Sequence, residues 1–148
     1  MIRVGAVNFA LYTNQIDGIA EYSCEISDSP ISDLSLGNYS KGERNIPIIN
    51  IKKYLNCKDP IFMHTSQTRI IFVSDRNANH NVGFGVDAIL GFYRNLTPLR
   101  IQRSDLDFNS NLKCFQIEFK VIIDAKSVPI LDLTSLIDFS SLMNQLNP

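Results

Sequence analysis

Ile46–Ile51 reads Ile-Pro-Ile-Ile-Asn-Ile, and the same pattern returns at an offset of 82 positions (from 46 to 128) as Val128–Leu133, Val-Pro-Ile-Leu-Asp-Leu. A short apolar run is typical of a buried strand. Proline donates no hydrogen bond to a sheet, so its place near the start of both runs is distinctive. Two copies of so unusual a strand indicate one fold made twice.

A second repeat lies upstream of the first in both halves of the chain. Val7–Leu11 (Val-Asn-Phe-Ala-Leu) matches Val82–Val86 (Val-Gly-Phe-Gly-Val). The match continues as Ile16–Ile19 against Ile89–Phe92, with two residues fewer between the elements. Because both repeats occur in the same order, the sequence predicts duplicated or pseudo-symmetric barrels that share an interface.

The composition fits a globular domain without a general affinity for polyanions. The chain has 148 residues, of which 45% are hydrophobic, and a formal net charge of −1. This length and apolar content suffice for a core, and the charge does not favour nucleic-acid or membrane-surface binding. Four basic residues cluster at Lys41, Arg44, Lys52 and Lys53, and we interpret them as a solvated rim rather than a phosphate site.

Cysteine usage and hydropathy predict a cytoplasmic protein. The three cysteines, Cys24, Cys57 and Cys114, are widely spaced and form no CxxC pattern, which is typical of reduced thiols. The start of the chain lacks the pattern of a signal peptide, and no apolar run is long enough for a transmembrane helix.

The remaining pattern predicts many short strands and one convincing helix. Strands are expected over Ile2–Leu11, near Leu34–Leu36, and over Thr68–Ser74, Val82–Val86 and Leu112–Ile123; Lys52–Asn56 is a possible helical turn, Asp75–Asn81 and Asp124–Ser127 are turns, and Ser135–Leu146 is a closing helix. The fold class is therefore mainly β, and closed barrels are favoured because they leave no exposed strand edges.

Chemistry-bearing patterns are weak. His64 and His80 stand in polar sequence and fit no metal-ligand spacing. Gly83 and Gly85 lack the rest of a dinucleotide motif, so close packing of a strand is the favoured interpretation. Asp87 and Asp132 follow apolar strands and could form an acid/base pair, but capping or accepting backbone hydrogen bonds fits them better. We predict no enzymatic activity, no metal and no cofactor.

Three motifs, in order, resemble the CheW-like domain of bacterial chemotaxis and twitching-motility systems. The family's turn and following strand correspond to Tyr39–Lys52, where Lys41 stands in place of an arginine. Its strand pair and the pattern Val-Gly-x-x-Val-Asp-x-Val resemble Arg69–Val73 and Val82–Ile89. Its closing Leu-Leu-Asp-Leu-x-x-Leu resembles Ile130–Leu136.

The resemblance implies a single CheW-like domain over residues 1–148. Its fold would be two pseudo-symmetric, five-stranded SH3-like β-barrels packed together, with a C-terminal helix. Barrel 1 would span about residues 10–65 and barrel 2 about residues 66–128, with the termini exchanged between them.

The resemblance also implies a scaffold that joins the cytoplasmic hairpin tip of a chemoreceptor to the regulatory domain of a CheA-type histidine kinase, in chemotaxis or type IV pilus motility signalling. Carried over by position, the receptor groove would contain Ile16, Ile19, Lys41, Arg44 and Val86. The kinase side, within the first barrel, would contain Ile48, Asn50 and Lys52. The alternative is a divergent array protein that self-associates and has lost one partner contact.

Overall fold

The computed structural model describes residues 1–22, 26–27, 34–55, 57, 59–75, 80–102 and 117–133. Its strands, numbered in chain order, are β1 (Ile2–Val4), β2 (Val7–Phe9), β3 (Gly18–Glu21), β4 (Ile26–Ser27), β5 (Ser35–Lys41), β6 (Arg44–Asn50), β7 (Arg69–Asp75), β8 (His80–Val86), β9 (Ala88–Ile89), β10 (Leu99–Arg100), β11 (Phe119–Ile123) and β12 (Lys126–Pro129). The helical elements whose bounds lie in these ranges are α1 (Ile51–Tyr54) and a 3₁₀ turn at Thr13–Gln15. Leu133, the last described residue, is also helical. The prediction of a mainly β fold is confirmed.

Six strands form the first sheet, in the order β3-β7-β8-β6-β5-β4. All neighbours are antiparallel except β6 and β8, which run parallel with Ile48 opposite Gly83 and Asn50 opposite Gly85. The predicted strand at 46–51 is present, but Ile51 already belongs to α1. The strand ends there because the Asn50 side chain accepts hydrogen bonds from the backbone amides of Lys52 and Lys53, which caps the helix.

The other strands form two three-stranded sheets, β2-β1-β9 and β10-β11-β12. A short parallel bridge between Ala10 and Ile130 joins them. The Ala10 amide donates to the Pro129 carbonyl at 2.9 Å, and the Leu131 amide donates to the Ala10 carbonyl at 2.9 Å. We call this joined set the second sheet; it pairs the first strands of the chain with the last described ones.

Strand pairing places the β7–β8 hairpin in the first sheet. The predicted boundary between the two barrels, near residue 66, assigns this hairpin to barrel 2. The structure pairs β7 with β3 and β8 with β6, so both strands belong with the first. The change from one sheet to the other therefore falls after Val86, just before β9. Ile70 packs in one buried cluster and Ile71 and Val73 in another, so β7 is covered on both faces.

Both repeats have structural counterparts. In the first sheet, the strand at 82–86 runs parallel to the proline strand at 46–51. In the second sheet, residues 7–11 meet the proline strand at 128–133 through the parallel bridge. Each sheet thus brings together the first repeat element of one half and the second element of the other.

The halves share one main core. The largest buried cluster contains Ile2, Phe9 and Leu131 from the second sheet and its continuation, together with Ile49 and Phe84 from the first. Burial of such side chains contributes roughly 1.5–3 kcal/mol each. The predicted interface between the two units is therefore part of the hydrophobic core.

Some elements differ from the sequence pattern. The alternation over Ile2–Leu11 predicts one strand, but Gly5, at φ 61°, turns the chain and makes the β1–β2 hairpin. The predicted turn at 124–127 is a two-residue hairpin turn in which Asp124 and Ala125 have φ of 51° and 62°. The closing helix predicted at 135–146 and the first part of the strand predicted at 112–123 lie outside the described residues. Within the described ranges, no helix is long and apolar enough to cross a membrane.

Candidate functional site

An apolar cleft opens between the β3–β7 side of the first sheet and the β1–β9 side of the second. The cleft is shallow and partly open to solvent, with a cavity volume of about 20 Å³. Its lining consists of Met1, Ile2, Leu11, Thr13, Ile16, Ile19, Ile71, Ile89, Gly91 and Phe92. Most of these side chains are apolar, so a matching partner surface would gain free energy by leaving water.

The first wall carries Ile16 and Ile19. Ile16 follows the 3₁₀ turn, and the next residue, Asp17, donates its amide to the Phe72 carbonyl at 2.8 Å. Ile19 lies on β3 opposite Ile71 of β7, with 41% of its surface exposed. The sequence-predicted pair is thus brought to one cleft, with Ile16 packed against the main core and Ile19 open to a partner.

The second wall carries Ile89 and Phe92. It is held to the N-terminus because the Met1 ammonium donates to the Gly91 carbonyl at 2.7 Å and the Leu90 amide donates to the Met1 carbonyl at 2.8 Å. Burial lowers the pKa of this ammonium. The Phe92 ring is 70% exposed, although Phe is usually buried. An exposed aromatic side chain beside an apolar cleft is typical of a binding anchor.

Sequence reasoning missed Phe92 and Ile89, although the repeat contained the signal. Ile16 aligns with Ile89, and Ile19 aligns with Phe92. The structure shows that both aligned pairs line the same cleft. The cleft is therefore pseudo-symmetric, built from one copy of the same short element in each half.

Two other predicted groove residues, Val86 and Arg44, do not line the cleft. Val86 is 1% exposed and belongs to the shared core, so its side chain supports the fold and is not available to a partner. Arg44 is exposed at the turn end of the β5–β6 hairpin and is not among the cleft-lining residues. The Lys41 backbone pairs with Arg44, and its side chain lies outside the description.

Sheet register explains the separation of Arg44 from the cleft. Ile19 faces Ile71, Ile71 faces Phe84, and Phe84 faces Ile49 on neighbouring strands. Arg44 lies five positions along β6 from Ile49 (49 minus 44). Arg44 is therefore separated from Ile19 by three strand-to-strand steps across the sheet and by five residues along β6.

The predicted kinase-side residues have internal contacts. Ile48 is fully buried and packs with Ile70. The Asn50 amide caps α1 and also donates to the Pro60 carbonyl at 2.8 Å. The side chains of Ile48 and Asn50 are thus not accessible, because the first fills the core and the second satisfies backbone groups.

The Lys52 side chain contacts two other segments of the chain. Its Nζ lies 3.4 Å from Asp87 Oδ2, with both side chains largely buried, and it donates to the Ile61 carbonyl at 3.1 Å. Asp87 also accepts a hydrogen bond from the Gly5 amide. This confirms the interpretation of Asp87 as an acceptor for backbone groups. The ion pair joins the helix after β6 to the junction between β8 and β9.

The described residues show no assembled catalytic or metal-binding group. Across those ranges, no three His, Cys, Asp or Glu side chains are placed to hold a metal ion. His64 is exposed and stacks on Tyr22, with ring centroids 5.1 Å apart. Burial raises the pKa of the Cys57 thiol, Lys52 opposes this, and Asp87 adds to it, so the thiol is poorly activated as a nucleophile.

Comparisons with known proteins agree with this architecture. The model of a family described as the CheW-like domain matches residues 1–141. Among solved structures, the chain is similar to the scaffolding protein TtCheW from Thermoanaerobacter tengcongensis, with a TM-score of 0.60 and 15% sequence identity over 93% of this chain and 90% of that one. A search of curated proteins found no match. The predicted fold of SH3-like β units is confirmed.

Proposed function

The chain belongs to the CheW-like domain family, and on that premise we propose that it is a non-catalytic adaptor which couples a chemoreceptor to a CheA-type histidine kinase. The observation that carries the proposal is the pseudo-symmetric apolar cleft, with Ile19 and Phe92 exposed on its two walls. The proposed setting is the cytoplasm, in chemotaxis or type IV pilus motility signalling.

The shape and chemistry of the cleft fit a helical hairpin. An amphipathic helix presents apolar side chains at a spacing of three and four residues and binds to an apolar groove through them. A hairpin has two such helices running antiparallel. A cleft with a related apolar pair on each wall, Ile16 with Ile19 and Ile89 with Phe92, offers one set of anchors to each helix.

Lys41 and Arg44 are proposed as charged contacts farther along the same receptor. Arg44 is exposed but distant from the cleft in the sheet register. A helix rises about 1.5 Å per residue, so about 20 residues span about 30 Å and can meet both places. A cation at this hairpin turn suits an acidic position on the receptor helix.

The kinase contact is proposed on the first sheet, around α1. Ile48, Asn50 and Lys52 fix this region from within, through the core, the helix cap and the ion pair to Asp87. The neighbouring Lys53 is exposed on α1. In this proposal the three predicted residues shape the kinase-binding surface.

Titration with a chemoreceptor hairpin fragment from the same genome tests the receptor contact. Ile19→Asp places a charge on the cleft wall and should weaken binding at least about fivefold, because a truncated or charged anchor costs more than about 1 kcal/mol. Ile122→Asp is the matched control, since Ile122 on β11 is 43% exposed, against 41% for Ile19, and does not line the cleft.

Equal effects of the two substitutions would contradict the cleft as the receptor site. Failure of the unmodified protein to bind either the receptor hairpin or a kinase regulatory domain would contradict the adaptor function as a whole. Binding should be measured calorimetrically, with circular dichroism as a check on folding.

A second candidate function is self-association within an array. It is favoured by Ile61 and Met63, which are 66% and 73% exposed on the segment between α1 and β7. Sedimentation at increasing protein concentration distinguishes the two. A mass that stays that of one chain at high concentration would eliminate this candidate.

A further inference from the structure

Gln15 makes a two-point bridge across the molecule. Its Nε2 donates to Asp132 Oδ1 at 2.7 Å, and its Oε1 accepts from the Leu133 amide at 3.1 Å. Both ends of the side-chain amide are therefore used, in a partly buried place, by residues 117 and 118 positions away. A primary amide suits this task because it offers a donor and an acceptor side by side.

The bridge holds the turn that carries one wall of the cleft. Gln15 is the last residue of the 3₁₀ turn, and Thr13 and Ile16 on either side of it line the cleft. A three-residue 3₁₀ turn has poor hydrogen-bond geometry and little stability of its own. Its position must therefore come from contacts with the rest of the protein, and the Gln15 bridge is such a contact.

The bridge lies at a repeated position of the chain. Asp132 corresponds to Asn50 at the offset of 82 (132 minus 50). Asn50 accepts from the amides of Lys52 and Lys53, which are two and three residues away. Asp132 accepts from Gln15, and Gln15 in turn accepts from the Leu133 amide. The residues at the end of the second proline strand are thus bonded to the turn that carries one wall of the cleft.

We infer that Gln15 is a positioning residue for the docking cleft, which fixes the turn bearing Thr13 and Ile16 against the strand end at Asp132 and Leu133; this rests on the proposed receptor-binding function. Gln15 acts through the turn and does not itself line the cleft. Since coupling between sites is reciprocal, a partner in the cleft should also protect the Leu133 amide from hydrogen exchange.

Compensating variants test the bridge. Gln15→Glu places a carboxylate against Asp132 and should weaken binding of the receptor hairpin about tenfold, in line with a lost hydrogen bond to a charged group. Asp132→Asn keeps an acceptor oxygen and should change affinity less than about threefold. The double variant should restore affinity, because the new amide at position 132 can donate to the new carboxylate at position 15, which still accepts from the Leu133 amide.

Gln67→Glu is the matched control. It makes the same chemical change, but Gln67 is exposed, does not line the cleft and accepts a hydrogen bond from Arg3. The Arg3 guanidinium can donate equally well to a carboxylate at position 67. Its affinity for the receptor hairpin should stay unchanged. Hydrogen exchange of the Leu133 amide, measured without receptor, should be faster in Gln15→Glu and return to the original rate in the double variant.

The outcomes separate this inference from the function on which it rests. If the unmodified protein does not bind the hairpin, the proposed function fails. If it binds, but Gln15→Glu binds equally well or the double variant shows no rescue, the positioning role is overturned. Should Gln15→Glu fail to fold, Gln15→Met replaces it, because it removes both hydrogen bonds without adding charge; it should weaken binding about fivefold, and unchanged affinity would overturn the inference.

Discussion

The two parallel junctions of this protein are related by the repeat but differ in extent. In the first sheet, β6 and β8 run side by side over three residue pairs, from Ile48 opposite Gly83 to Asn50 opposite Gly85. In the second sheet, the corresponding strands meet at one bridge, between Ala10 and Ile130. A duplicated sequence has thus produced one long junction and one short one.

Two repeat positions at the longer junction are occupied by glycine. Gly83 corresponds to Asn8, and Gly85 to Ala10. A Cβ at Gly83 would lie 2.6 Å from Ile48 Cδ1 and 2.8 Å from Ile70 Cγ2, and one at Gly85 would lie 2.9 Å from Phe62 Cε2. Only a residue without a side chain fits such a close approach.

Burial follows the same division. Gly83 and Gly85 are buried, since neighbouring side chains cover β8 on both faces, whereas Asn8 is exposed. The first sheet is covered on both faces at β8, whereas the second sheet is exposed to water at Asn8. The repeat therefore governs strand order in both sheets, while side-chain size at 83 and 85 governs how closely neighbouring side chains cover β8.

The largest expected effect tests the symmetric part of the comparison. Ile49 and Leu131 are equivalent in the repeat (131 minus 49 is 82), and both are fully buried in the shared core. Ile49→Ala and Leu131→Ala should each lower the free energy of unfolding by about 3 kcal/mol, because each leaves a cavity in packed surroundings. Urea unfolding measures both values. A difference above about 2 kcal/mol would show that the halves do not share the core equally.

An intermediate effect tests the asymmetric part. Gly83→Ala should lower the free energy of unfolding by about 2 kcal/mol, since the new methyl group overpacks against Ile48 and Ile70. Asn8→Ala, at the equivalent position, should change it by less than about 0.5 kcal/mol because Asn8 is exposed. Equal values for the two variants would contradict the close packing of Ile48 and Ile70 around Gly83.

The smallest effect exchanges the polar residues that end the two proline strands. Asn50→Asp should cost about 1 kcal/mol, because a carboxylate still caps α1 but no longer donates to the Pro60 carbonyl. Asp132→Asn should cost less than about 0.5 kcal/mol, because an acceptor oxygen remains for Gln15. Thermal unfolding at neutral pH compares them. The reverse order of costs would mean that the bridge to Gln15 depends on the charge of Asp132.

Several features could be predicted because they depend on neighbours in the chain. Arg69–Asp75 forms a strand as its apolar, β-branched run predicts, and α1 follows the proline strand near the expected place. The close-packing role predicted for Gly83 and Gly85 is confirmed. Asp124 and Ala125 make the predicted hairpin turn. The strand, the helix and the turn need only local chain geometry, whereas the glycine pair was predicted from the absence of side chains in an apolar strand.

The cleft could be predicted in part. Ile16 and Ile19, which the resemblance assigns to a receptor groove, line one cleft between the sheets. That a receptor binds there stays a prediction. Val86 and Ile48, which were predicted as binding residues, are buried. Residues along a strand alternate between its two faces, and the sequence of the strand alone does not show which faces other elements cover. Phe92 was missed because its exposure depends on how the N-terminal residue holds Gly91.

The sequence by itself determined the β class, the duplication, the proline strands and the family, since these follow from short-range patterns and their order. The tertiary structure decided which strands pair across the halves, where one sheet gives way to the other, and which apolar residues remain exposed. Pairing of Ala10 with Ile130, or of Gln15 with Asp132, joins residues more than 100 positions apart. No local preference specifies such contacts, because they form only after the entropy cost of bringing distant segments together has been offset by burial of the shared core.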